Sequence, residues 1–121
     1  MIKKITIRNG EFFCEVMVAE NLFQRLRGLL FRPDWKGGML LPAKSVHTFF
    51  MKQNIDVFFL DRYGKVIHAV LDMKPWRVTK VVRRAKIALE VPSGKLGDLM
   101  TGHYIKLDQL KRGGYVTCLK Q

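Results

Sequence analysis

The residues best equipped for chemistry lie in and after one aromatic stretch. Residues 45–60 read Ser-Val-His-Thr-Phe-Phe-Met-Lys-Gln-Asn-Ile-Asp-Val-Phe-Phe-Leu. In an extended chain successive side chains point to opposite faces. His47, Phe49 and Met51 then share one face, and Thr48, Phe50 and Lys52 the other. Past a bend at Gln53-Asn54, Asp56, Phe58 and Leu60 line one face, with Val57, Phe59 and Asp61 opposite. Each run thus carries an ionisable group among aromatics. Burying such a group without a partner costs several kcal/mol, so His47 and Asp56 need partners if they lie inside, and each could serve the other. A His–Asp pair can tie two strands together. It can also work as a general base whose tautomer the acid fixes. No third ligand stands at recognisable spacing, so no metal site is expected.

Three further residues join this set. Trp76 and Arg77 follow Pro75 in a loop, and loops carry function more often than strands do. Trp offers a flat stacking surface, and Arg a fork of donors suited to carboxylate or phosphate. The plainer reading is a Trp that plugs the core while Arg reaches for water. Glu90 sits among apolar neighbours in Ala88-Leu89-Glu90-Val91-Pro92-Ser93-Gly94 and could neutralise Arg77 or another cation. Ser93 lacks the Gly-x-Ser-x-Gly elbow and is not read as a nucleophile. His68 and His103 are read as structural or surface residues. The candidate ligand-binding set is therefore His47, Lys52, Asp56, Trp76, Arg77 and Glu90.

The elements that must position these residues are mostly strands. Residues 2–8 and 11–18 flank Asn9-Gly10, a strong hairpin signal. Leu22, Phe23, Leu26, Leu29 and Leu30 repeat at helical spacing. They predict one amphipathic helix near 21–31, with Asn21 as its cap and Arg32-Pro33 as its end. Beyond it the chain reads as strands over 39–41, 45–51, 55–61, 65–72, 86–91, 103–108 and 115–119. About nine short strands with one helix predict a mainly β fold: a sandwich or a partly closed barrel, jelly-roll-like. The 121 residues fit one domain, 1–121.

Charge is the outlying feature of the composition. Lys and Arg number 22 against 10 Asp and Glu, a formal charge of +12. Such a balance favours anionic partners, whether nucleic acid, acidic lipid or small phosphates and carboxylates. The densest basic run is Arg77, Lys80, Arg83, Arg84 and Lys86. Nucleic-acid surfaces more often show a basic stripe interleaved with aromatics, and here the aromatics sit elsewhere, so nucleic acid ranks below a small anionic molecule. Cys14 and Cys118 sit in apolar alternating segments and read as reduced, buried small hydrophobes. No stretch approaches the length of a membrane span. The N-terminus lacks the apolar core of a signal peptide, and the expected address is the cytoplasm.

These motifs together resemble the uncharacterised family called domain of unknown function 192. The matching residues are Arg27-Gly28-Leu29-Leu30, Gly38-Met39-Leu40, His47-Thr48-Phe49-Phe50-Met51, Ile55 to Asp61, Gly64-Lys65-Val66, Pro75-Trp76-Arg77 and Leu89 to Gly94. The likeness runs from about residue 17 to 108. It departs at Leu30, Asn54 and His103, where the family usually carries Met, Pro and Asp. The resemblance implies a small β-rich domain of jelly-roll type, with no agreed activity, substrate or cofactor, and no cofactor is expected.

The sequence thus predicts a small-molecule binding or accessory domain, with Trp76 stacking, Arg77 clamping an anion and His47 with Asp56 orienting the ligand. Three other readings stand behind it: a hydrolase or isomerase using the His–Asp pair, polyanion or nucleic-acid binding through the basic surface, and a purely structural partner-binding domain.

Overall fold

The computed structural model of the protein describes residues 3–19, 37–49, 51–106 and 114–119. Among them are eight strands: β1 (Lys3–Asn9), β2 (Phe12–Val18), β3 (Gly38–Leu41), β4 (Ile55–Leu60), β5 (Val66–Met73), β6 (Ile87–Pro92), β7 (Tyr104–Ile105) and β8 (Gly114–Leu119). The helix expected near 21–31 lies outside the described residues.

One sheet holds all eight strands, in the order β5-β4-β6-β3-β2-β1-β8-β7. It is mixed, because β1 pairs with β8 and β2 with β3 in parallel, while the remaining pairs are antiparallel. The sheet curls into an open half-barrel, so of the two expected architectures the curled sheet forms rather than two packed sheets. Among the described residues, its two ends meet beside Gly64 to Val66. Ile105 N–H donates to Gly64 at 2.8 Å, Val66 N–H to His103 at 2.8 Å and Gly102 N–H to Val66 at 2.9 Å. Among the described residues, β5 beyond Val66 pairs with β4 alone, and its register shifts twice, between Ile55 and Val57 and between Phe59 and Leu60 of β4.

Both faces of the central strands are covered, and every residue of β4 is buried. Alternation sorts the side chains as the sequence predicts. Phe58 and Leu60 join Ile5, Ile7, Val16, Leu40, Leu89, Leu96 and Ile105 in one core. Val57 and Phe59 join Met17, Met39, Leu41, Val46, Met73 and Ala88 in a second. Phe58 and Phe59 are about 1% exposed or less, and each contributes roughly 1.5–3 kcal/mol by leaving water. Strand β3 lies so close to β6 that a Cβ on Gly38 would sit 2.5 Å from the Glu90 carbonyl oxygen.

The hairpin forms one residue later than its Asn-Gly signal suggests. Asn9 still pairs with Phe12, and the turn is Gly10-Glu11 with Gly10 at φ 62°, glycine standing first as in a type II′ turn. Asn9 turns its side chain inward and donates to Leu96 O at 2.7 Å and Asp98 Oδ1 at 2.8 Å.

Among the described residues of the expected strand 45–51, only His47 makes a bridge and no strand forms. Its backbone bonds to an irregular segment rather than to a strand. Thr48 N–H donates to Arg77 O at 2.8 Å, Thr79 N–H to Val46 O at 2.9 Å and Val82 N–H to Lys44 O at 2.7 Å, and His47 bridges Val78. Alternating side chains predicted a strand, but the groups that would make a ladder are taken by the long β5–β6 connection.

Candidate functional site

The sheet itself separates the two buried acids of the expected site. Asp56 stands opposite Val91, on the face of Phe58 and Leu60, whereas Glu90 stands opposite Val57 and Met39, on the other face. Both are buried, at 5% and 4% exposure.

Main-chain donors occupy the Asp56 carboxylate. Its Oδ1 accepts the Asp72 N–H at 2.7 Å and lies 3.4 Å from Ser93 Oγ, and its Oδ2 accepts the Gly94 N–H at 2.9 Å. The first of these bonds depends on a local irregularity. At the register shift near Ile55 the extra residue falls on β5, and Asp72 takes φ 53°. Asp72 in turn accepts Asn54 Nδ2 at 2.9 Å and Ser93 Oγ at 3.0 Å. These two donors, Asn54 first, hold its carboxyl below the ordinary value, helped by the Lys74 charge. Asp56 therefore knots β4, β5 and the turn after β6 together. It is not a partner of His47, so the expected His–Asp pair does not form.

Arg77 and Lys52 are both exposed, whereas Glu90 is buried in the sheet. What does gather is aromatic. His47 stacks on Phe49 with ring centroids 4.7 Å apart at 22°. Phe49 meets Trp76 at 5.9 Å and 32°. Phe49 is 41% exposed and Trp76 56%, so the three rings form an accessible platform.

Thr48, fully buried, holds that platform together. Its Oγ1 accepts the Arg77 N–H at 2.9 Å and donates to Lys74 O at 2.7 Å. Its carbonyl accepts the Trp76 N–H at 3.0 Å and the Met51 N–H at 3.2 Å. Trp76 is thereby held at φ 63°, a conformation that costs a non-glycine residue about 1–3 kcal/mol. The site continues along the same pair of segments. Ser45 Oγ donates to Thr79 O at 3.0 Å, and Lys44 Nζ donates to Arg83 O at 2.7 Å and Ala85 O at 2.9 Å. A half-open cleft of about 290 Å³ between Leu41–His47 and Val78 adjoins the imidazole.

Of the six expected residues the structure joins His47 and Trp76 through Phe49, with the Arg77 backbone anchored beside them on Thr48. Asp56 and Glu90 stay within the sheet, and Lys52 lies apart from the rings' contacts. Phe49, Thr48 and Lys44 were missed. For Thr48 a signal existed, since it alternates with His47 and Phe49 and so must face inward when they face out. For Lys44 nothing in the sequence marked its two carbonyl partners. Among the described residues, no group of three His, Cys, Asp or Glu could hold a metal ion. Cys14 and Cys118 are free and buried, and burial pushes both thiols up, Cys118 to about 12. No helix among the described residues is long and apolar enough to cross a membrane.

Comparison with known proteins agrees on the architecture. A UPF0127 protein of Pyrococcus furiosus is 38% identical over 93 residues, which cover 72% of this chain and 79% of that protein. Among solved structures, a protein of unknown function from Novosphingobium aromaticivorans superposes with a TM-score of 0.58 at 15% identity, over 77% of this chain and 74% of that one. A protein of Sinorhizobium meliloti, provisionally described as a transcription regulator, gives 0.59 at 17% identity, over 78% and 83%. At these identities the two structures show the shared fold alone. The family model matches residues 4–107, and the chain belongs to that family, the uncharacterised proteins of domain of unknown function 192.

Proposed function

We propose that this domain binds a small anionic molecule carrying a flat ring, which lies on the His47–Phe49–Trp76 platform. The observation that supports this reading is the exposed aromatic stack, built on a backbone that Thr48 fixes. Preformed rings lose little freedom when a ligand stacks on them. Arg77 follows Trp76 directly and supplies a fork of donors for a phosphate or carboxylate. The two segments that build the site, 42–49 and 74–86, contain no Asp or Glu. An anion approaching the rings therefore meets only cations from these segments. The hydrolase or isomerase reading loses its support, because the acid meant to orient His47 is engaged elsewhere.

Tryptophan fluorescence tests this. The chain has two tryptophans, so Trp35→Phe leaves Trp76 as the reporter. Adenosine monophosphate should quench Trp76 saturably, adenosine should quench it less, and Arg77→Ala should weaken the nucleotide response. Absence of quenching at millimolar nucleotide, or equal quenching by adenosine, would sink the reading.

A further inference from the structure

We infer that the platform is one end of a track for single-stranded nucleic acid, laid along residues 74–86; this rests on the ligand-binding reading above and names its partner. The β5–β6 connection is anchored with a period of three. Thr79 and Val82 are half-buried and Ala85 is buried. Thr79 and Val82 donate their N–H groups to Val46 and Lys44, and Lys44 Nζ reaches back to the carbonyls of Arg83 and Ala85. The cations repeat with the same period, Lys74, Arg77, Lys80, Arg83 and Lys86, and all five are exposed, as is Arg84. Turns at Pro75-Trp76 and Arg83-Arg84 interrupt the segment, so the cations share the exposed side through the spacing of the buried anchors and not through one continuous extended helix. No acid occurs between Asp72 and Glu90.

A small ligand can engage one or two of these charges, whereas a polymer of phosphates can engage the whole row. The rings decide which polymer. Linear sequence sets the aromatics apart from the basic run, but folding brings Phe49 and His47 beside Trp76 at its start. Bases stack on such rings only when they are not already paired within a duplex. A charged row with a stacking platform at its end therefore fits a single strand better than a duplex or a lipid surface.

The test uses the full chain carrying Trp35→Phe, with adenosine monophosphate, oligothymidylate, a duplex of equal length, inorganic polyphosphate and phosphatidylserine vesicles. Oligothymidylate should bind more tightly than the mononucleotide and should quench Trp76. Binding should weaken with salt, and Arg83→Ala and Arg84→Ala should each lower the slope by about 0.7. Removing the ring should weaken strand binding roughly 5- to 150-fold and leave polyphosphate binding unchanged. Trp76→Gly serves here beside Trp76→Ala, since glycine suits the backbone at this position. If the mononucleotide quenches Trp76 but the oligonucleotide binds no better, the track fails and the platform stands. If neither perturbs Trp76, both fail. Equal binding of polyphosphate or duplex, or binding to vesicles alone, overturns the single-strand inference.

Discussion

The hydroxyl of Thr48 accepts the backbone N–H of Arg77 at 2.9 Å, so a side chain with no exposure of its own fixes the backbone of an exposed arginine. The same hydroxyl donates to Lys74 O, which brackets Trp76 between two anchored neighbours.

Replacing Thr48 with Val keeps the shape and removes both bonds. The Arg77 N–H then lacks its acceptor in a partly buried setting, and a lost hydrogen bond costs about 0.5–1.5 kcal/mol. We expect Thr48→Val to lower stability by that order in urea denaturation, and to speed amide exchange at Trp76 and Arg77. Thr48→Ser should retain most of both. Val behaving as the wild type would show that the hydroxyl does not hold the loop.

Asp56→Asn makes a sharper case. Both carboxylate oxygens accept N–H donors, and an amide must present its NH₂ to one of them. Bonds to a charged group contribute about 1.5–3 kcal/mol. Asp56→Asn should destabilise by about that much, while mononucleotide binding at the platform stays unchanged once folding is saturated. A large loss of binding with stability preserved would return Asp56 to the site.

The lowered Asp72 carboxyl predicts a pH dependence of defined sign. A group that holds its proton more weakly when folded contributes stability above its unfolded pKa, about 4. That contribution is lost as pH falls through the lower folded value. Asn54→Ala removes the largest cause of the shift, so the Asp72 titration should move back up toward the ordinary range. Carbon-detected NMR of the side-chain carboxyl measures it directly. An unmoved midpoint would disprove the role given to Asn54.

Gly38 has no room for a methyl group. Its Cβ would meet the Glu90 carbonyl and Val91 Cγ1 at 2.5 and 2.9 Å, and backbone cannot step aside as a flexible side chain can. Overpacking of this kind costs roughly 1–3 kcal/mol. Thermal unfolding of Gly38→Ala should show a loss of that size, and an unchanged midpoint would mean that β3 and β6 can separate.

How far the fold was legible depends on where each signal lives. Alternation is a local property, and it assigned Phe58 and Leu60 to one face and Val57 and Phe59 to the other. The apolar patterning of 45–51 was just as local and misled, because pairing depends on which backbone arrives alongside. Here the 74–82 segment arrives and takes the hydrogen bonds. Asp56 was correctly read as needing partners, but its donor at Asp72 exists only because an extra residue on β5 turns that N–H inward. Residue type and a loop after Pro75 marked Trp76 and Arg77 as candidates, and both stand exposed in that loop. Their union with Phe49 was not legible, since it spans 27 positions and passes through Thr48.

The two register shifts of β5 act on what happens outside the molecule. A long, regular border strand is a template on which another chain can add itself. Among the described residues β5 is a border strand of the sheet, the position that carries this hazard. Its regular pairing, however, is confined to His68–Val70 opposite Val57–Phe59, with an irregularity on either side. Bulges of this kind twist a margin away from an incoming strand. The irregularity that turns Asp72 toward Asp56 therefore also guards the chain against edge-to-edge aggregation.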